Sequence, residues 1–272
     1  MNNNYKSIVR FFITGTMLCI VTYMLYLLCR VFIADYFTVP TYSMKPTLMP
    51  GNKIIVNKLL FGARIYTDFN FPKEGGELKS FRTNGFRDIK RNDILVFNKA
   101  NHNRTIKFII NNVYCKRCVA LPGDTITISN GKLINNNYDA PLGIKQETEK
   151  LINTPDSMVD ERCLRAMPKD EHFYWTIRNF GPYYTPRKGD IITVDAANAT
   201  IYKVILEWEL GRKLHIDWNR NKVMAGNKVV TKHKFSHNYY FVMGDNVLNS
   251  DDSRYKGPVP EEYIIGIVDK II

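Results

Sequence analysis

Ser43 stands between Pro40 and Pro50 in the run Pro40-Thr41-Tyr42-Ser43-Met44-Lys45-Pro46-Thr47-Leu48. The fixed proline φ angles favour a rigid turn that presents its hydroxyl. A serine hydroxyl is a weak nucleophile until a base takes its proton. No Gly-x-Ser-x-Gly surrounds it, and none of the histidines (102, 172, 215, 233, 237) lies in a Ser-His-Asp context. A neutral lysine can serve instead, and Lys116 is the one whose neighbours would make it neutral. Val113 to Leu121 is otherwise apolar or compact. At strand spacing Tyr114, Lys116, Cys118 and Ala120 share one face, and Val113, Cys115, Arg117 and Val119 the other. At a reference pKa near 10.4 about 1 lysine in 2,500 is neutral at pH 7, and burial lowers lysine by roughly 3 to 5 units. Taken alone, Lys116 reads better as a lysine that snorkels to the surface from a strand edge.

Other chemistry is poorly supported. Cys115 and Cys118 form a Cys-x-x-Cys, but no second Cys or His pair stands at ligand spacing, and residues three apart on a strand point to opposite faces. No metal site and no organic cofactor are expected. The net charge of +12 is spread along the chain without a nucleic-acid-binding motif, so no nucleic acid is expected either. The basic surface instead suits anionic lipid headgroups.

The elements that must position Ser43 and Lys116 begin with an anchor. Phe11 to Cys29 is 19 residues without a charge. As a helix it spans about 28 Å, close to the hydrocarbon thickness of a bilayer. The run continues through Arg30-Val31-Phe32-Ile33 without a small-x-small cleavage site, so a retained transmembrane anchor over 11–33 is predicted. Lys6 and Arg10 place the segment 1–10 in the cytoplasm and the remainder outside, against the lesser vote of Arg30. Val31 to Pro40 reads as an interfacial segment or as a first strand. Downstream, β-branched runs at 53–56, 93–97, 125–128 and 239–242 read as strands, and Ser129-Asn130-Gly131-Lys132 and Ala225-Gly226-Asn227-Lys228 as hairpin turns. One soluble helix is expected over Ala196 to Leu210, with Asp195 as N-cap and Gly211 as stop.

Four segments in order carry more than any single residue. They are Pro40 to Leu48; Arg91-Asn92-Asp93-Ile94-Leu95-Val96-Phe97; Lys116-Arg117-Cys118-Val119-Ala120-Leu121-Pro122-Gly123-Asp124; and Gly244-Asp245-Asn246 through Asn249-Ser250-Asp251-Asp252-Ser253-Arg254 with Gly257-Pro258-Val259-Pro260. Placed behind an apolar anchor, they resemble the ordered boxes of the bacterial type I signal peptidases, serine peptidases of family S26. The resemblance implies Ser43 as nucleophile and Lys116 as general base. It implies that Thr41 joins the Ser43 backbone N–H in an oxyanion hole and that Ser250 orients the lysine. Asp245, Asp252, Arg254 and Arg117 take supporting roles. The last box departs from the family pattern: Val247 and Leu248 replace an Arg and an Asp, and Lys256 stands where Trp is common.

The resemblance further implies a mainly β fold of the signal-peptidase type, with antiparallel or mixed sheets. The expected division is a catalytic core over 39–129 and 237–272, with an inserted α+β subdomain over 130–236. The substrates implied are preproteins carrying signal peptides, cut after an Ala-x-Ala type site. The implied setting is the cell (inner) membrane, single-pass in the lipid bilayer near the protein-export machinery, with the catalytic domain on the extracytoplasmic side. Two other readings compete. A self-cleaving Ser/Lys repressor would carry a DNA-binding domain in place of the span. A catalytically inactive membrane-anchored protein of the same fold would bind preproteins without cutting them.

Overall fold

The computed structural model describes residues 3–102 and 104–272, so Met1 and Asn2 of the expected N-terminal segment lie outside the described residues. The first element is the helix Asn3–Leu28, which starts eight residues before the predicted span and widens into a five-residue π turn, Cys29–Ile33. Lys6–Ile33 has the length and composition to cross a membrane. Between Arg10 and Arg30 its side chains carry no charge, and large apolar ones are exposed on every face, as a lipid-facing helix requires. Thr16 and Thr22 donate their hydroxyls to the carbonyls of Phe12 and Leu18, so neither leaves an unpaired polar group in the apolar run. The segment after Ile33 is a strand, Ala34–Thr38, which settles the choice left open for 31–40. The junction is tied down by Lys58, whose amide donates to Ile33 O (2.8 Å) and whose Nζ donates to Arg30 O (2.6 Å).

The main sheet has seven strands, in the order Ala34–Thr38, Lys53–Asn57, Ile264–Ile271, Ile94–Asn98, Val113–Ala120, Tyr239–Met243, Val259–Pro260. Every strand pairing among the described residues is antiparallel. The strand Val113–Ala120 lies between two cores, divided as its alternation predicts except at Val119, which joins the larger core beside Cys118 and Ala120, where the pairing with Tyr239–Met243 shifts register. Cys118 and Ala120, with Tyr114 packed alongside, belong to the larger core, and Val113 and Cys115 pack on a smaller one built on Val39, Met44, Leu48, Ile54, Val56, Val96 and Ile265. The two cysteines of the Cys-x-x-Cys are free thiols, and burial pushes both pKa values up.

Within 130–236, the strands Lys132–Asn135 and Phe180–Tyr184 pair on either side of Thr125–Ser129. Asn130 and Gly131 both take positive φ, 48° and 82°, as a two-residue hairpin turn demands. The predicted helix is present but bent: Ala196–Ile201 and Lys203–Leu210 meet at Tyr202, whose hydroxyl donates to Tyr184 O. Asp195 caps it by accepting from the Asn198 amide (2.7 Å), and Gly211 ends it at φ 61°. A further helix, Lys145–Asn153, was not expected from the sequence. The larger core runs without a break from strands of the main sheet into this region, through Phe180, Tyr183, Tyr202 and Ile205.

Candidate active site

Ser43 sits in a short helical turn, Tyr42–Met44, that follows the edge strand of the main sheet. Its neighbours fix it: Met44 and Leu48 are fully buried in the smaller core, and Asn246 grips the turn from the far end of the chain. The Asn246 amide donates to Ser43 O (3.1 Å), and its Nδ2 donates to Tyr42 O (3.1 Å). Asn246 was in the last box but had no assigned role; the signal for it was its place directly after Asp245.

Lys116 comes from the middle of Val113–Ala120 and is 3% exposed. Its Nζ lies 2.6 Å from Ser43 Oγ and 3.1 Å from Cys115 O. Burial lowers its pKa; the carboxylates of Asp252 and Asp251 pull the other way without overcoming it. Thr41 Oγ1 lies 3.2 Å from Ser43 Oγ. The structure therefore brings Ser43, Lys116 and Thr41 into one hydrogen-bonded group, although 73 residues separate the first two.

Ser250 is buried behind this group, and among the described residues no direct hydrogen bond joins it to Lys116; its side chain acts instead on the Asp252 carboxylate, helping to hold that pKa down. It packs over Gly244. A methyl group there would come within 2.1 Å of Ser250 Oγ and 2.5 Å of Ser43 O, so the absence of a side chain at Gly244 lets the serine turn and the last box touch.

The charged residues form two clamps. Arg117 meets Asp245 through two parallel bonds, Nε to Oδ1 (2.7 Å) and Nη2 to Oδ2 (2.6 Å), and its Nη1 donates to Asn92 O (2.9 Å). Thr47, five residues from the serine turn's start, donates to Asp245 as well, which fastens the serine loop to the lysine strand. Thr47 carries no charge and was missed. The second clamp is Arg254 on Asp252, again bidentate (2.9 Å each), with both side chains fully buried. Burial opposes the ionisation of Asp252, but Arg254 overrides it and holds the carboxyl below its usual range. Arg254 also donates to Val247 O (2.9 Å), and Asp252 accepts from the Gly244 amide (3.0 Å). A third pair, Arg91 with Asp124, closes the turn that follows the lysine strand.

The departures in the last box have visible surroundings. Val247 and Leu248 pack against a small apolar cluster of Leu151, Val159 and Ile177, all from 130–236. Lys256 reaches Asp251 (3.6 Å).

On one side, Val113–Asn98 to Arg117–Ile94 is a continuous ladder; on the other, Tyr239–Met243 pairs only from Ala120 back to Arg117. No strand among the described residues covers Val113 to Lys116 on that side. The edge strand Ala34–Thr38 has a partner on one side only.

The family model described as "Signal peptidase, peptidase S26" matches residues 12–272. The chain belongs to the S26 signal peptidases. Among its S26 relatives, "Signal peptidase I" of Buchnera aphidicola subsp. Baizongia pistaciae is 30% identical over 251 residues, covering 88% of this chain and 69% of the relative. "Signal peptidase I" of Buchnera aphidicola subsp. Schizaphis graminum is 27% identical over 268 residues, covering 92% and 71%. "Signal peptidase I" of Helicobacter pylori is 26% identical over 253 residues, covering 90% and 77%. An S26 peptidase is a serine endopeptidase, and the long apolar N-terminal helix fits a membrane-anchored member of that family.

Proposed function

We propose that the protein is a membrane-bound endopeptidase that removes signal peptides from exported preproteins, with Ser43 as nucleophile and Lys116 as general base. The observation that carries this reading is the 2.6 Å contact between Ser43 Oγ and the Nζ of a lysine that is 3% exposed. A desolvated amine sheds its proton and can accept one from the serine. Ser43 Oγ then bonds to the scissile carbonyl carbon, and the oxyanion is held by the Ser43 N–H and the Thr41 hydroxyl. Lys116 returns the proton to the departing amine as the C–N bond breaks. A water then loses a proton to Lys116, attacks the ester, and Ser43 is released.

The substrate backbone would lie along the uncovered edge of Val113–Lys116 and the segment after Ala34–Thr38, pairing as an added strand. Shallow subsites there would favour small side chains of the Ala-x-Ala type. The anchor would sit in the cell membrane with residues 1–10 in the cytoplasm, as Lys6 and Arg10 favour, and the domain on the opposite side near the export machinery. The segment 130–236 would act as an inserted support for the last box, through Leu151 under Val247 and Leu248.

The test is cleavage of an Ala-x-Ala preprotein by the detergent-solubilised full chain, wild type and variants, from pH 6 to 10. Ser43→Ala and Lys116→Ala should be inactive, and Thr41→Val should lose about 10²-fold or more in kcat. Because burial lowers the Lys116 pKa, wild-type activity should rise with pH through a value below 10.5. An active Lys116→Ala would remove the lysine from the mechanism, and a folded but silent wild type would favour a protein that binds preproteins without cutting them.

A further inference from the structure

Beside the lysine strand lies a group of charges that the reaction just described does not use. Lys99 follows the strand Ile94–Asn98, and its amide bonds to Asn112 O (2.8 Å), which holds it against the start of the lysine strand. Lys99 Nζ lies 3.1 Å from the Tyr114 hydroxyl and 4.9 Å from the centre of its ring. The Nζ of Lys116 lies 5.5 Å from the centre of the same ring. One aromatic ring thus carries both the buried amine and an accessible cation.

Asp251 completes the arrangement. Its Oδ2 meets Lys99 Nζ at 3.1 Å and its Oδ1 meets Lys256 Nζ at 3.6 Å. It sits between Ser250 and Asp252 in the last box. Lys99, Tyr114, Asp251, Asp252 and Lys256 together line a small cavity of about 30 Å³. Asp251 and Lys256 are both more than two-fifths exposed, so these pairs contribute little to stability. The amine they face is desolvated, so their field there is screened less than it would be at a second fully exposed charge the same distance away.

The groups facing Lys116 fall into two sets. Asp252, Asp251, the Cys115 thiol and the Tyr114 π face favour a protonated amine; Arg254 opposes it, and burial opposes it most. Lys99 shares the Tyr114 ring and so brings a like charge to the same side chain. Asp252 is neutralised within the fold by Arg254. Asp251 is neutralised by Lys99 and Lys256, two residues on the protein surface.

We propose that Lys99, Asp251 and Lys256 are positioning residues that act through Tyr114 and through their shared field to set the pH at which Lys116 gives up its proton. This rests on Lys116 being the general base. Lys256 then serves this chain as a second counter-charge to Asp251.

The test is kcat/KM against pH for the full chain in detergent, using a fluorogenic Ala-x-Ala peptide at low salt. Asp251→Asn should move the acid limb down by about half a pH unit, roughly threefold in kcat/KM on that limb. Lys99→Met should move it up by a similar amount and Lys256→Met by less. The double variant Lys99→Met/Asp251→Asn should return towards wild type, and Asp251→Glu and Lys99→Arg should restore the original limb. Raising the salt to about 0.5 M should shrink each displacement. Limbs that coincide in folded Asp251→Asn, Lys99→Met and Lys256→Met, while Lys116→Ala is inactive, would overturn the proposal and leave the dyad standing. An active Lys116→Ala would overturn both. Should Asp251→Asn fail to fold by circular dichroism, the two lysine variants carry the test, with upward displacement supporting the proposal and none refuting it.

Discussion

Asp252→Asn should be among the most damaging conservative changes available in this chain. The carboxylate accepts two bonds from the Arg254 guanidinium, one from the Gly244 amide and one from the Arg254 amide, and it caps the short helix Ser253–Lys256. Both members of the pair are 0% exposed. Asparagine leaves the guanidinium buried without its counter-charge and turns an amide N–H₂ towards it. Breaking a buried pair on one side costs about 3–5 kcal/mol. For a domain of this size that corresponds to roughly 10 °C in Tm. The measurement is urea unfolding of the full chain in detergent, followed by tryptophan fluorescence and circular dichroism to check that the transitions coincide. The double variant Asp252→Asn/Arg254→Met should recover most of the loss, because it removes the orphaned charge as well. Stability held by a depressed carboxylate is present above its unfolded pKa and is lost as pH falls through the folded one. The wild type should therefore lose its advantage over Asp252→Asn progressively below about pH 4. A single-variant cost under about 1 kcal/mol, or a double variant as weak as the two single losses added together, would refute this account of the pair.

Gly244→Ala should reduce kcat/KM by at least about 10²-fold, since the new methyl must displace Ser43 O or Ser250 Oγ, while the overpacking costs only about 1–3 kcal/mol in unfolding. Lys116→Met should abolish cleavage yet raise stability at pH 7 by about 1–2 kcal/mol, because a buried amine is replaced by an apolar chain of similar shape. The lysine's folded pKa is lowered, so the unfolded chain binds more protons between that value and about 10.5; wild-type stability should climb across this window and the gap to Lys116→Met should close, as a pH series of melts would show. Leu151→Ala should cost about 2–5 kcal/mol by opening a void beneath Val247 and Leu248, and thermal melts compared with peptide cleavage at 25 °C would show whether activity falls with the packing.

Much of this arrangement was readable from residue types. Val113–Ala120 shows its two faces in its alternation, and the structure gives those faces to two different cores up to Cys118, with Val119 crossing to the larger core where the strand pairing shifts register. The apolar N-terminal run was legible for the same reason: only a helix satisfies its own backbone in such a stretch. The start of that helix was not, because Asn3 to Arg10 carries no stop signal and helices extend until one appears. Lys145–Asn153 escaped notice because seven of its nine residues are polar or charged, with Leu151 its only buried apolar residue, so it shows no stripe at helical spacing. The break at Tyr202, whose hydroxyl bonds to Tyr184 O, is marked by no local pattern. The same holds at the site. Ser43 and Lys116 stand out in the sequence and the fold brings their side chains together, but the bond from Thr47 to Asp245 and the reach of Lys99 to Asp251 join residues 198 and 152 positions apart, and only the folded sheet brings them within range.

The junction at Ile33 has a consequence for which bonds can be reached. The helix passes directly into the edge strand, and Lys58 fastens the passage at Arg30 and Ile33, so a short, hydrogen-bonded path leads from the apolar span to the serine turn. From Ala34 to Ser43 is ten residues, at most about 35 Å even when fully stretched. With the span seated in a bilayer, as proposed, the hydroxyl rides at a set height above the lipid, like a blade on a fixed gantry. A chain leaving the same bilayer would meet it only where its scissile bond stands at that height, which makes distance from the membrane a second reading of the substrate alongside its side chains.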